Sequence, residues 1–321
     1  MPHPENNRLK NFPVNFLAVL LGLMGYSLAL QKAEHALHFP VSVYSPFLYF
    51  TLFLFAVFIL IYLAKCIKYP GEVRKEFNHP IKINFYPILA KLFLILGIIY
   101  LPLNMQLSKY FWIIGALLQL IFSLIIMYIW IRHTKFEIHH LNPAWFIPIV
   151  GNVLVPIAGS QHGFVEISWF FFSIGIVMWI TLFIIVFNRI IFHNPIPDRL
   201  IPTFFILFAP PAIAFIAYVN LTGTLDAFSR ILYYIAFFLL IVVFSQIKLY
   251  SRLQFYISWW AYTFPTVAFT VATMLMLHTT GFVFFLIASY CLIALLTLIM
   301  AYVTYRTLKA IRNIEICIEE E

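Results

Sequence analysis

A single lysine stands inside an otherwise apolar run, Pro87-Ile-Leu-Ala-Lys91-Leu-Phe93. An ammonium group in a bilayer costs about 2.5–3.5 kcal/mol on insertion scales, so it has to reach water, a partner or an interface. Two placements satisfy it: the amine faces a central space and draws anions, or it snorkels to the headgroups from the first half of its helix. A second stretch, Trp259-Trp-Ala-Tyr-Thr-Phe264-Pro265, sets a proline beside a bulky aromatic in another apolar run. Proline cannot donate to the carbonyl of Ala261, so a bend is expected near Phe264, with a backbone carbonyl left for protein or water to satisfy. An aromatic at such a bend points to a passage.

The groups that make and break bonds are not arranged for it. His133, His139 and His140 cluster in one loop, while His35, His38, His79, His162, His193 and His278 fall in loops or at the ends of apolar runs. No two lie in an apolar run as axial haem ligands would, and the metalloprotease pattern His-Glu-x-x-His is missing. Gly159-Ser160 has no histidine or lysine within the membrane to activate the hydroxyl. Cys66, Cys291 and Cys317 are odd in number and lack metal-ligand spacing. These residues predict no enzyme, no cofactor and no metal.

The chain that must position Lys91 and Phe264 is itself unusual. Of 321 residues, 63% are hydrophobic, 19% aromatic and 10% charged, too few polar groups to cover a soluble surface. About 20 apolar residues make one span, which predicts spans at roughly 12–31, 45–66, 84–104, 109–131, 143–160, 166–188, 200–219, 229–249, 257–277 and 281–304. The formal charge of +8 reads as a topology signal meeting anionic lipid rather than nucleic acid. Alternate connections hold nearly all the Lys and Arg, from Arg8 and Lys10 through Lys65, Arg74, Arg132, Arg189 and Lys248 to Arg306 and Arg312, whereas the opposite loops hold Lys32, Lys109 and Arg230. Both termini are therefore expected in the cytoplasm of a cell inner (plasma) membrane protein. The expected organisation is a short N-terminus, 1–11, a transmembrane domain, 12–306, and a C-terminal tail, 307–321.

Prolines supply a second pattern. Pro13 opens the first span, and the odd spans after it contain or begin with Pro87, Pro102, Pro143, Pro148, Pro156, Pro202, Pro210, Pro211 and Pro265, while the even spans read as unbroken. Bent helices free carbonyls that lipid cannot satisfy, so odd helices belong inside and even helices outside. The predicted fold is all-α, ten transmembrane helices as five helical hairpins in a ring around a central pore. All twelve Asp and Glu residues lie outside or at the ends of the spans, where a proton- or cation-coupled pump would need an intramembrane carboxylate. A pore without acidic residues and with a basic rim favours anions.

On Trp259-Trp-Ala-Tyr-Thr-Phe-Pro265, Val150-Gly151-Asn152 and Ala90-Lys-Leu-Phe-Leu-Ile-Leu-Gly97, the chain resembles the tellurite-resistance/dicarboxylate transporter family over most of residues 12–310. That family includes bacterial tellurite-resistance channel homologues, fungal malate permeases and plant guard-cell slow anion channels. The resemblance implies a homotrimer with one pore per protomer, and a phenylalanine plug on the ninth helix that falls on Phe264. Pore-lining or kink positions are then expected at Lys91, Phe93, Pro148, Gly151, Asn152, Pro156, Pro210, Pro211 and Pro265. Lys91 departs from the plant channels, which carry an uncharged residue there. The implied activity is an anion channel for chloride and nitrate, with nitrate at least as permeant. The alternative is a secondary carrier or efflux permease for C4-dicarboxylates or oxyanions such as tellurite, and a membrane-embedded scaffold would need no pore at all.

Overall fold

The structure, a computed structural model, describes residues 7–38, 42–132 and 136–317. His133, Lys135 and the ends of both terminal arms lie outside the described residues. Among those described, nine helices are long and apolar enough to cross a membrane, and Pro143–Gly159 forms a shorter apolar segment between the fourth and fifth of them. With that segment counted as the fifth, the order matches the predicted alternation.

The even members are continuous α-helices: Tyr44–Lys68, Met105–Arg132, Val165–Phe192, Ala227–Ser245 and Val283–Arg312. Their one proline, Pro46, sits in a first turn, where an N–H has no helical partner to lose. Only 17–39% of their apolar windows is buried, so most of each surface is left for lipid. The covered side is a narrow stripe. On Met105–Arg132 it includes the small or polar Ser108, Gly115, Ala116, Gln119 and Ser123, together with Trp112, Ile126 and Ile129. The last helix runs past the expected boundary at 306 to Arg312.

The odd members are built differently, and the expected bend takes an unexpected form. Each begins as a tight 3-10 helix and changes to an α-helix. The first joins Val14–Phe16 to Leu17–Ala36, the third Lys82–Phe85 to Ile88–Tyr100, the seventh Asp198–Leu207 to Ala209–Thr222, and the ninth Ile257–Tyr262 to Thr263–Thr280. The fifth, expected as one span over 143–160, alternates twice: Pro143–Trp145, Phe146–Val150, Gly151–Leu154 and Val155–Gly159. Pro156, Pro210, Pro211 and Pro265 all fall within the first three residues of an α part. Pro265 therefore does not bend a running helix; it lies where a new helix starts and its missing N–H goes unused. Threonine hydroxyls serve carbonyls at these junctions: Thr263 Oγ1 donates to Trp260 O at 2.7 Å, and Thr266 Oγ1 to Tyr262 O at 2.7 Å.

The four longer odd segments bury 72–89% of their apolar windows. First packs on third, third on fifth, fifth on seventh, seventh on ninth and ninth on first, while each also packs on the even helix that follows it. This contact order is closed and has two layers. Because even helices return the chain, all five inner segments run in the same direction. Gly223 and Gly281, at φ of 69° and 68°, end the seventh and ninth segments in the left-handed conformation that favours glycine. Asn7 Nδ2 donates to Tyr69 OH at 2.5 Å, which places the N-terminal arm beside the connection after the second helix.

Candidate functional site

Parallel inner segments present their early residues to one end of the ring and their late residues to the other. Two cavities follow that division. The one toward the termini, about 90 Å³, is lined from all five inner segments, including Leu21, Lys91, Gly151, Pro210 and Ala261. The one toward the far face, about 300 Å³, is lined from the later turns of the same five, including Lys32, Ile98, Ile157, Asn220 and His278. No residue of an even helix lines either cavity among the described residues. Leu154, Ile213 and Phe264 line both. These three apolar side chains, from the fifth, seventh and ninth segments, lie where the two spaces adjoin.

Phe264 is the second residue of its α part, held where the 3-10 start of the ninth segment ends. That start is anchored from outside: Trp260 Nε1 donates to Thr307 Oγ1 at 2.9 Å on the last helix. On the neighbouring first segment, a Cβ added at Gly25 would stand 2.9 Å from Phe264 Cδ2. The missing side chain at Gly25 is thus the room in which the ring lies.

Lys91 resolves in favour of the inward placement. Its side chain is buried, lines the cavity toward the termini, and donates from Nζ to Ile147 O at 2.5 Å. The acceptor exists because the fifth segment is interrupted near Pro148 and Gly151, which frees backbone carbonyls. Gly151 supplies the space, since a Cβ there would collide with Lys91 Nζ and Cε. The same interruption recruits the fourth helix. Pro148 O accepts from Gln119 Nε2 at 2.7 Å and Ser123 Oγ at 3.4 Å, and Asn152 Nδ2 donates to Ser123 Oγ at 3.0 Å and Ile149 O at 2.6 Å.

The sequence-predicted residues divide accordingly. Lys91, Gly151, Pro210, Phe264 and Pro265 come together around the cavity toward the termini. Pro148, Asn152, Pro156 and Pro211 are buried but line neither cavity; they shape the backbone of the segments that do. Phe93, expected to line the pore, is a correction. Two positions beyond Lys91 on a helix is nearly the opposite face, and its ring packs on Phe55 and Phe111 of the outer helices, with centroids at 5.9 and 6.4 Å.

Residue types alone did not single out Leu154, Ile213 or Gln119. A buried ion pair was also missed. Lys65 and Glu76 read as loop charges, yet Lys65 Nζ lies 2.9 Å from Glu76 Oε2 and donates to Phe12 O at 2.7 Å, while Tyr62 OH donates to Glu76 Oε2 at 3.2 Å. The pair ties the second helix to the start of the first segment. A lysine at the last turn of a span with a glutamate eleven residues on carries no spacing signal of its own.

A family model described as the voltage-dependent anion channel matches residues 11–308. The chain belongs to this family. Membership fits the multi-pass, all-helical fold and supports an anion transport function. The S-type anion channel SLAH2 of Arabidopsis thaliana is 31% identical over 274 residues, 83% of this chain and 53% of that protein, so the chain spans about half the length of that plant relative. A protein of Methanocaldococcus jannaschii described as an uncharacterized transporter is 29% identical over 302 residues, 85% of this chain and 87% of its own. The tellurite resistance protein TehA homolog of Haemophilus influenzae is 24% identical over 259 residues, 78% and 77% of the two chains. Plant S-type channels and a tellurite-resistance protein thus fall in one family with this chain, as its motifs implied.

Proposed function

We propose that the protein is an anion channel that passes small monovalent anions, chloride and nitrate, through the two cavities, and that Phe264 closes the path between them. The carrying observation is that, among the described residues, both cavities are lined only by the five interrupted segments and share Leu154, Ile213 and Phe264. Three apolar side chains across a narrow passage exclude water, and an anion has no means of crossing a dry apolar plug. When the ring of Phe264 turns aside the two spaces join. On the terminal side, Lys91 uses one donor on Ile147 O, and an ammonium group has three; the others serve an anion.

The cost of removing water then sets the order of permeation. With a single fixed charge in the narrower cavity, weakly hydrated nitrate passes at least as readily as chloride. A homotrimer in the plasma membrane, with both termini in the cytoplasm, completes this reading by resemblance. The test is flux from liposomes carrying the purified protein, with chloride, nitrate and malate exchanged in turn. Nitrate and chloride currents in single-channel steps support the channel; strict preference for chloride contradicts the permeation order. A second reading, a carrier or efflux permease for C4-dicarboxylates or oxyanions such as tellurite, is favoured by the names of the archaeal and Haemophilus relatives. Saturable malate exchange without resolvable single-channel steps would select it.

A further inference from the structure

The cavity on the far face holds basic groups that the partition does not use. The first segment turns Leu28, Lys32, His35 and Ala36 toward it, one helical stripe, and the ninth adds His278 from the opposite wall. No aspartate or glutamate lines this space among the described residues. The nearby acids are engaged elsewhere. Glu34 is about 200° around the helix from Lys32 and accepts from Ser42 Oγ at 3.3 Å. Asp226 accepts from Tyr218 OH at 2.7 Å and from Ser229 N at 2.9 Å, and the latter bond holds its carboxyl below the usual range.

The remaining walls bring no further charge. The third segment contributes Ile95, Ile98 and Leu101, the fifth Leu154 and Ile157, and the seventh Asn220 beside its aliphatic residues. His162, just beyond the fifth segment, shares a hydrogen bond with Ser108 Oγ at 2.9 Å, and burial followed by nearby Lys109 keeps its imidazole toward the neutral form. Lys32 is half-buried, and no side-chain hydrogen bond or ion pair engages Lys32, His35 or His278 among the described residues. A partly desolvated cation without a protein counter-charge is incomplete unless an anion neutralises it.

We propose that the far cavity is a second anion-binding site, in which Lys32, His35 and His278 hold a small inorganic anion and load the passage from the face remote from the termini. This rests on the channel reading for the word "load" but not for the binding itself.

Bromide serves as the probe, located by its anomalous scattering in crystals of the full chain. The expected result is a peak in the far cavity that is lost in Lys32→Gln/His35→Gln/His278→Gln. No peak there in wild type, or an undiminished peak in the triple variant, overturns the proposal. In liposomes the triple variant is expected to raise the half-saturating anion concentration on the far face about tenfold, the lower end of electrostatic enhancement at a charged cleft, with maximal flux kept. The value measured from the terminal face stays unchanged. Unaltered half-saturation with flux intact overturns the loading role. Bound bromide without flux in wild type overturns the channel reading and leaves the site standing. Should the triple variant misfold, Lys32→Gln alone decides the same question, with recovery in Lys32→Arg as the sign that charge is responsible.

Discussion

The two cavities sit on either side of the same three apolar residues, yet they hold charge in opposite ways. Toward the termini the space is small, about 90 Å³, and its one ammonium is tied to a backbone carbonyl in a seat that only a glycine at 151 leaves open. Toward the far face the space is about 300 Å³, and its three basic side chains are held by no side-chain bond among the described residues. A tethered charge in a tight space acts on an ion at a fixed place, whereas loose charges in a wide space raise the local ion concentration without choosing among ions. On the proposed reading, the difference assigns discrimination to the terminal side and capture to the far side, with three apolar residues between them.

Removing the partition should erase this division, and it carries the largest expected effect. Phe264→Ala joins the two spaces; a barrier lowered by even about 1.4 kcal/mol raises flux about tenfold, and voltage clamp at matched surface expression reads it directly. Equal currents would show that the ring is merely packed. Next is the seat of the tethered charge. Gly151→Ala should cost about 1–3 kcal/mol by overpacking, seen as a lower unfolding temperature in detergent, and Gly151→Ala/Lys91→Ala should recover part of that loss because the collision is with Lys91.

Lys91→Met, nearly the same length without the charge, should lower anion conductance several-fold and leave the far-face half-saturation as it was. A change on the far face instead would break the assignment of the two roles. The smallest effect is expected from Gly25→Ala, whose added methyl meets the ring of Phe264. It should reduce current modestly by pressing the ring into the passage, and it should do nothing in the Phe264→Ala background, as a double-mutant cycle would report.

Much of this was legible in the residues. Prolines at 87, 148, 156, 210, 211 and 265 marked the inner segments, because a break must be satisfied by protein and cannot face lipid. What prolines do not tell is the form of the break. A proline at the start of an α part and one in mid-helix look alike in sequence, so the change from 3-10 to α geometry required coordinates. Lys91 was visible as an expensive charge, but its choice between the headgroups and Ile147 O depended on a carbonyl freed by a different segment. Leu154 and Ile213 were indistinguishable from the many other aliphatics, since their role comes only from the height at which they meet Phe264. Lys32, His35 and His278 were read singly as span-end residues, and only the packing of the first segment on the ninth puts them around one space.

The repeated junction from 3-10 to α helix has a mechanical side. A 3-10 helix advances about 2.0 Å per residue with three residues per turn, an α-helix about 1.5 Å with 3.6. Each residue that crosses the junction therefore shortens its segment by about 0.5 Å and turns everything beyond it by about 20°. In the ninth segment the junction falls between Tyr262 and Thr263, immediately ahead of Phe264. A displacement that carried a residue across this junction would be geared to a rotation of the aromatic ring, as in a screw.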